Sequence, residues 1–306
     1  MMSHRIHLLT FSRCPASTCD GLDEFYGRMA AWSLVFENHY LQQPAAQCPF
    51  EALGGDESFA HLRAKASAGE LSVRMVLAGD VRDEAARQLP AWLNVSATSG
   101  AGIVSVVDSV SEQLTQISTP LFLWVHVVLP ADAGAEQIFE VVAKAEKIVS
   151  DSLDVLMITF LGGGAVCQPD RFQSLLFESD VRVPLWIQSS HPPIRVQTLT
   201  GSFDIAGTIA DELEGTRRQH SASGPANLLR LAENPGRKSD RYLLIDAGEV
   251  AAVRTVDFLY VQTKGKQQGN AALYAKPEDV WNLNDVSGEY HKVVEELREL
   301  QVSEGA

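Results

Sequence analysis

Three runs of the chain carry apolar side chains with almost no polar break: Ser72 to Gly79, Leu121 to Val128, and Leu153 to Leu161, the last closed by Gly162, Gly163 and Gly164. Runs of this length without alternation predict strands buried on both faces of a sheet. Between the second and third, residues 135–152 place Ile138, Val141, Val142, Ala145, Ile148 and Val149 at helical spacing. Such an amphipathic helix returns the chain to the sheet. Strand, helix, strand in this rhythm predicts parallel pairing through crossover helices. Ligands of open α/β sheets sit beyond the carboxyl ends of the strands, so chemistry is to be sought around Leu161 to Gly164. Leucine and three glycines offer no acid, base, nucleophile or metal ligand, and no Lys-Ser/Thr follows to complete a phosphate loop. Two readings stand: the glycines form a plain turn, or they mark a site whose reactive groups are gone.

The flanking pattern fills in an α/β chain. Ile6 to Thr10 predicts a first buried strand, and Leu22, Phe25, Met29 and Trp32 lie on a helical period. Leu34 to Phe36 continues in extended form, residues 57–69 and 82–93 are helix-prone, residues 97–102 read as a loop of small residues, and residues 110–117 as a helix. Val183 to Gln188 predicts a strand with Pro184 at its entry, where a missing amide is tolerated. A helix is expected over 204–213. A polar linker over 216–237 comes next, broken by the short apolar run 227–232. After it the pattern changes: Tyr242 to Ile245, Ala251 to Thr255 and Phe258 to Val261 are short strands at hairpin spacing, and residues 289–300 form an amphipathic helix.

The chain has 306 residues, with 39 acidic against 25 basic side chains. That length buries a large core, here divided into an α/β domain over residues 1–237 and a small α+β subdomain over 238–306. The net charge of −14 argues against nucleic acid or an anionic membrane as partner. Cys14, Cys19, Cys48 and Cys167 show no Cys-x-x-Cys spacing, so neither a zinc site nor a disulfide framework is indicated. Residues 1–9 run into a strand without a signal-type apolar segment, and no run reaches membrane-spanning length, which makes the cytoplasm the expected location.

Four stretches carry a recognisable pattern. Leu176-Phe177-Glu178-Ser179-Asp180-Val181-Arg182-Val183-Pro184-Leu185 is followed by Phe203-Asp204-Ile205-Ala206-Gly207-Thr208. Ala272-Leu273-Tyr274 leads to Pro277-Glu278-Asp279-Val280-Trp281-Asn282-Leu283, and near the front stands Leu34-Val35-Phe36-Glu37-Asn38-His39-Tyr40. These resemble, in order and over nearly the whole chain, framework segments of the sulfatase family in the alkaline-phosphatase-like superfamily. The resemblance implies a large mixed, mostly parallel sheet flanked by helices, with a small C-terminal antiparallel sheet plus helix. It also implies a chemistry: a formylglycine made from the cysteine of Cys-x-Pro-x-Arg attacks the ester, while a divalent cation and basic side chains polarise the sulfate.

The positions that the resemblance assigns to that chemistry hold other residues. Ser12 and Arg13 stand where the first strand should end in two metal-binding aspartates, and a guanidinium there repels a cation. With Pro49 on the motif proline, Gln47 replaces the nucleophile and Glu51 the arginine. Taking Cys48 as the nucleophile fails too, since Phe50 and Ala52 stand where Pro and Arg are required. Asp80 replaces a lysine and Ala131 a histidine. Leu161 and Gly162 occupy the place of the Asp-His pair that ends the opening strand. Neither the divalent cation nor formylglycine is therefore expected.

Blander readings cover the remaining candidates. Cys48 as an ordinary thiol nucleophile needs a positioned histidine, from His39, His61 or His126, and nothing in the sequence selects one. His126 reads as a core histidine, Asp204 as a helix cap, and Glu178 with Arg182 as a structural ion pair. The expectation is a sulfatase-like protein without catalysis, a pseudoenzyme kept for binding or assembly. Its partner would be a small molecule or a protein, with self-association open. The alternative is a divergent hydrolase of sulfate or phosphate esters using other residues at the same pocket.

Overall fold

The computed structural model describes residues 5–12, 27–44, 48–79, 89–98, 121–129, 135–148, 154–161, 176–215, 222, 224–236, 240–264 and 271–304. The chain begins with β1 (Arg5–Phe11), β2 (Leu34–Phe36) and β3 (His39–Tyr40), then three short helices, α1 (Pro49–Ala52), α2 (Gly55–Ser58) and α3 (Ala60–Ser67). Next come β4 (Ser72–Gly79), β5 (Val95–Thr98), β6 (Leu121–Val128), α4 (Ala135–Ile148), β7 (Val155–Phe160), α5 (Glu178–Val181), β8 (Leu185–Gln188), β9 (Ile194–Val196), β10 (Thr200–Gly201), α6 (Ser202–Glu214) and α7 (Leu228–Glu233). The chain closes with β11 (Leu243–Asp246), β12 (Val250–Arg254), β13 (Phe258–Thr263), β14 (Ala271–Ala275) and α8 (His291–Glu304).

Eight strands form the main sheet in the order β5-β4-β6-β1-β7-β8-β2-β9. β8 runs antiparallel to both of its neighbours, and the other pairings are parallel. The three apolar runs predicted as central strands are β4, β6 and β7, and every residue of β7 is buried. Their two-residue alternation feeds two cores. Leu8, Met75, Trp124 and Met157 pack against Phe50, Phe59, Ile205 and Leu228 on one face. Leu9, Val76, Val125 and Ile158 pack against Ile138, Val141 and Val142 of α4 on the other. The apolar stripe read from residues 135–152 is thus what holds α4 to the sheet.

Some expectations are corrected by the fold. Residues 97–98, read as loop, belong to β5, a four-residue strand at the sheet edge paired to β4. Its sequence, Val-Ser-Ala-Thr, carries no apolar run because an edge strand needs none. The helix expected over 57–69 is two helices, α2 and α3, that meet at the fully buried Phe59. The residues of 13–26, 80–88 and 99–120 that carried helix and loop expectations lie outside the described residues.

The C-terminal part is a four-stranded antiparallel sheet, β11-β12-β13-β14. One face packs Leu243, Ala252, Leu259 and Tyr274 against Tyr40, Leu176, Val181 and Leu199 of the larger part. The other packs Tyr242, Val253, Tyr260 and Leu273 against Leu297, Val293, Val294 and Leu300 of α8. Glu295, Glu296 and Glu299 point to solvent, the arrangement the sequence pattern requires.

Candidate functional site

The carboxyl ends of β1, β6 and β7 lie side by side, with Thr10 opposite both His126 and Thr159 in the register. Beyond them the chain is stitched together by its own backbone. The Ser12 N–H donates to the Val127 carbonyl at 2.9 Å, and the Leu161 N–H donates to the Phe11 carbonyl at 2.8 Å. The Ser12 hydroxyl accepts the Leu129 N–H at 3.1 Å. The Leu161 side chain packs against both hydrophobic cores. Of the two described residues at these strand ends, Ser12 thus presents a hydroxyl that is already bonded and Leu161 an aliphatic chain. Among the described residues no group of three His, Cys, Asp or Glu side chains is arranged to hold a metal ion.

Two positions earlier in the strands is a buried polar row. Trp124 Nε1 donates to Thr10 Oγ1 at 2.8 Å, and the same oxygen lies 2.8 Å from His126 Nδ1. Burial pushes His126 down to about 4, so it is neutral at physiological pH. Thr159, the third member of the row, donates to the Pro184 carbonyl at 2.9 Å. These groups satisfy one another.

Charge is concentrated elsewhere, at the seam with the C-terminal sheet. Glu178 Oε2 accepts the Tyr40 hydroxyl at 2.7 Å, while Oε1 lies 3.4 Å from Arg254 Nη2 and 3.6 Å from Lys276 Nζ. Arg254 also donates to the Tyr40 hydroxyl at 3.1 Å and stands over its ring. Burial, before any charge effect, pushes the Tyr40 phenol up to about 12 and pulls the Lys276 ammonium down. Lys276 Nζ donates to Asn282 Oδ1 at 2.7 Å. A second buried pair joins Arg241 to both oxygens of Asp204, which also accept the Gly201 and Ala226 amides. The helix-capping role read for Asp204 is what it performs, with a link to residue 241 added.

With that geometry in place, the backbone can be set beside known structures. No family model matches the sequence, and no curated protein matches it in sequence. In three dimensions a protein solved in complex with its substrate D-glucosamine-2-N,6-O-disulfate matches with a TM-score of 0.70 and 12% identity, over 98% of this chain and 97% of that one. A Bacteroides fragilis protein assigned to the sulfatases, yidJ, matches at 0.66 and 10% identity, over 97% and 94%. A Vibrio parahaemolyticus protein of the alkaline phosphatase superfamily matches at 0.63 and 12% identity, over 95% and 87%. The fold is that of the sulfatases and the alkaline phosphatase superfamily. At these identities the likeness concerns the path of the chain.

Of the positions that the resemblance assigned to sulfatase chemistry, the structure describes three. Ser12 and Leu161 come together at the ends of β1 and β7, held by the backbone bonds to β6 and β1. Glu51 is exposed on α1. Arg13, Gln47, Asp80, Ala131 and Gly162 lie outside the described residues. Cys48 is buried in front of α1, and burial raises its thiol, which opposes nucleophilic use. The histidines that a thiol nucleophile would need are engaged elsewhere: His39 with Thr200, His61 with Glu214 and His126 with Thr10. The Glu178 and Arg182 pairing is corrected. Arg182 is exposed and donates through Nε to the Glu37 carbonyl at 2.8 Å, whereas Glu178 turns inward to Arg254 and Lys276. Both residues belong to the framework stretch 176–185, and that suggested the pair. α5 is a single turn, and Arg182 leaves it in extended backbone. Among the described residues no helix is long and apolar enough to cross a membrane.

Proposed function

We propose that this chain is a sulfatase-fold protein that does not carry out metal-assisted hydrolysis of sulfate esters and that acts by binding. One observation carries the reading. At the ends of β1 and β7, where the resemblance puts carboxylate metal ligands, Ser12 closes a hydrogen bond to Leu129 and the partly buried Leu161 packs against both cores. Losing the ligands alone would leave polar holes; these positions are instead built into the packing, which supports a chain shaped for a role without the cation. The sequence positions Arg13, Gln47, Asp80, Ala131 and Gly162, each of a type unable to serve the family chemistry, point the same way.

Calorimetric titration of the whole protein with Ca²⁺ and with Mg²⁺ tests this. The expected result is no saturable binding at millimolar metal. Saturable binding that Ser12→Ala abolishes would overturn the reading in favour of a divergent hydrolase.

A further inference from the structure

A cleft of about 520 Å³ opens beside β2 and β8, lined by Val35, Pro184, Trp186, Arg182, Arg195 and Trp281 among others. This is the size of small-molecule sites, which pair apolar and aromatic walls with a few convergent polar groups. None of Ser12, Glu51 or Leu161 lines it, although two of its lining residues, Pro184 and Trp186, touch Thr159 and Phe160 at the end of β7.

The walls carry an imbalance of charge. Arg195 Nη1 donates to Glu37 Oε1 at 2.6 Å, so these two cancel. The other acid on the cleft, Glu178, has its carboxylate turned into the seam and held between Arg254 and Lys276. Arg182 is left. Its Nε is anchored on the Glu37 carbonyl at 2.8 Å, and its two terminal amines have no partner among the described residues. A guanidinium fixed at one nitrogen with its fork open is preorganised for a two-oxygen anion. Two guanidiniums against the one available carboxylate of Glu37 leave a single positive charge, which matches a monoanion.

The walls also specify what the anion is attached to. Trp186 is almost fully buried, and its ring is held edge-on to Phe160. At the mouth Trp281 is 55% exposed although Phe177 holds it in a T-shaped contact at 6.1 Å. An indole that is fixed in place yet more than half uncovered offers a flat apolar face to a ring. We propose that this cleft binds a small organic monoanion, a carboxylate carried on a planar ring, with the carboxylate on Arg182 and the ring against Trp281.

The test is calorimetric titration of the full chain with 2-naphthoate, and with 2-naphthamide as the uncharged control. The proposal expects saturable one-to-one binding of the acid and at least about tenfold weaker binding of the amide, the size of a charge-assisted contact. Arg182→Leu should weaken the acid by about tenfold or more. Trp281→Ala should weaken both compounds by about threefold or more, as loss of a stacking contact does. Arg182 and Trp281 are both exposed, and an unchanged melting temperature would show that each variant folds. Should Arg182→Leu fail to fold, Trp281→Ala and the acid-to-amide ratio decide. No saturable heat at millimolar naphthoate, equal binding of acid and amide, or wild-type affinity in both variants would overturn the proposal.

Discussion

The strand ends and the seam make an instructive pair. At the carboxyl ends of β1, β6 and β7, where this fold class places its chemistry, the polar side chains among the described residues are bonded within the protein: Thr10 with Trp124 and His126, Thr159 with the Pro184 carbonyl, Ser12 with the Leu129 amide. At the seam with the C-terminal sheet, Glu178, Arg254, Lys276 and Tyr40 form a dense ionic cluster. A search for reactive chemistry by charge density would choose the seam. Its members are buried and paired with one another, with only Arg254 Nε among them left unpartnered, and such pairing is what a structural ion cluster shows. The described residues at the strand ends, by contrast, are held by backbone hydrogen bonds and packing. The buried charges of the seam join the C-terminal sheet to the larger part.

The largest effect that would break this contrast is at the seam. Glu178→Gln leaves Arg254 and Lys276 facing each other without their anion, and should destabilise the protein by about 3–5 kcal/mol in chemical denaturation. A loss below about 1 kcal/mol would mean that the cluster does not hold the two sheets together. At the strand ends the expected sensitivity is to packing: Leu161→Asp places a carboxylate against both cores and should cost about 2–3 kcal/mol. If that variant were as stable as the wild type, the position would be open to a polar ligand after all.

A smaller effect concerns acid. Burial pushes His126 down to about 4, and burial with help from Arg241 pushes His39 down to about 3. Unfolded histidines bind protons at about 6.5, so below that pH the unfolded chain takes up protons that the folded chain refuses. The stability from these groups is complete above pH 6.5 and falls on acidification, by about 1.4 kcal/mol per pH unit for each histidine, until the folded value is reached. His126→Asn should therefore roughly halve the acid slope that the two histidines produce between pH 6 and 4.5. A slope equal to that of the wild type would show that His126 is hydrated or charged in the fold.

Much of the fold was legible because β4, β6 and β7 are apolar runs buried on both faces, and α4 has a clean apolar stripe. What pattern could not show were the strands that owe their place to a neighbour. β5, β9 and β10 are two to four residues long and polar or mixed in sequence. β14 reads only as a motif until β13 pairs with it. Ser12 and Leu161 could be placed from the sequence at the ends of two buried strands. Their hydrogen bonds and packing could not. Nor could the cleft: Arg182, Arg195 and Trp281 come from three separate segments, and the pairing of Glu178 with Arg254 and Lys276 spans more than seventy residues, so a reading confined to the 176–185 stretch pointed to the wrong partner.

We propose that the strand ends are built for packing and not for sulfate-ester chemistry. Hydrolysis of p-nitrophenyl sulfate by the whole protein, followed with Ca²⁺, Mg²⁺ or Mn²⁺ and again after chelation, tests it most directly. The account predicts the buffer rate under every condition. A metal-dependent rate that chelation removes and Ser12→Ala reduces would contradict it.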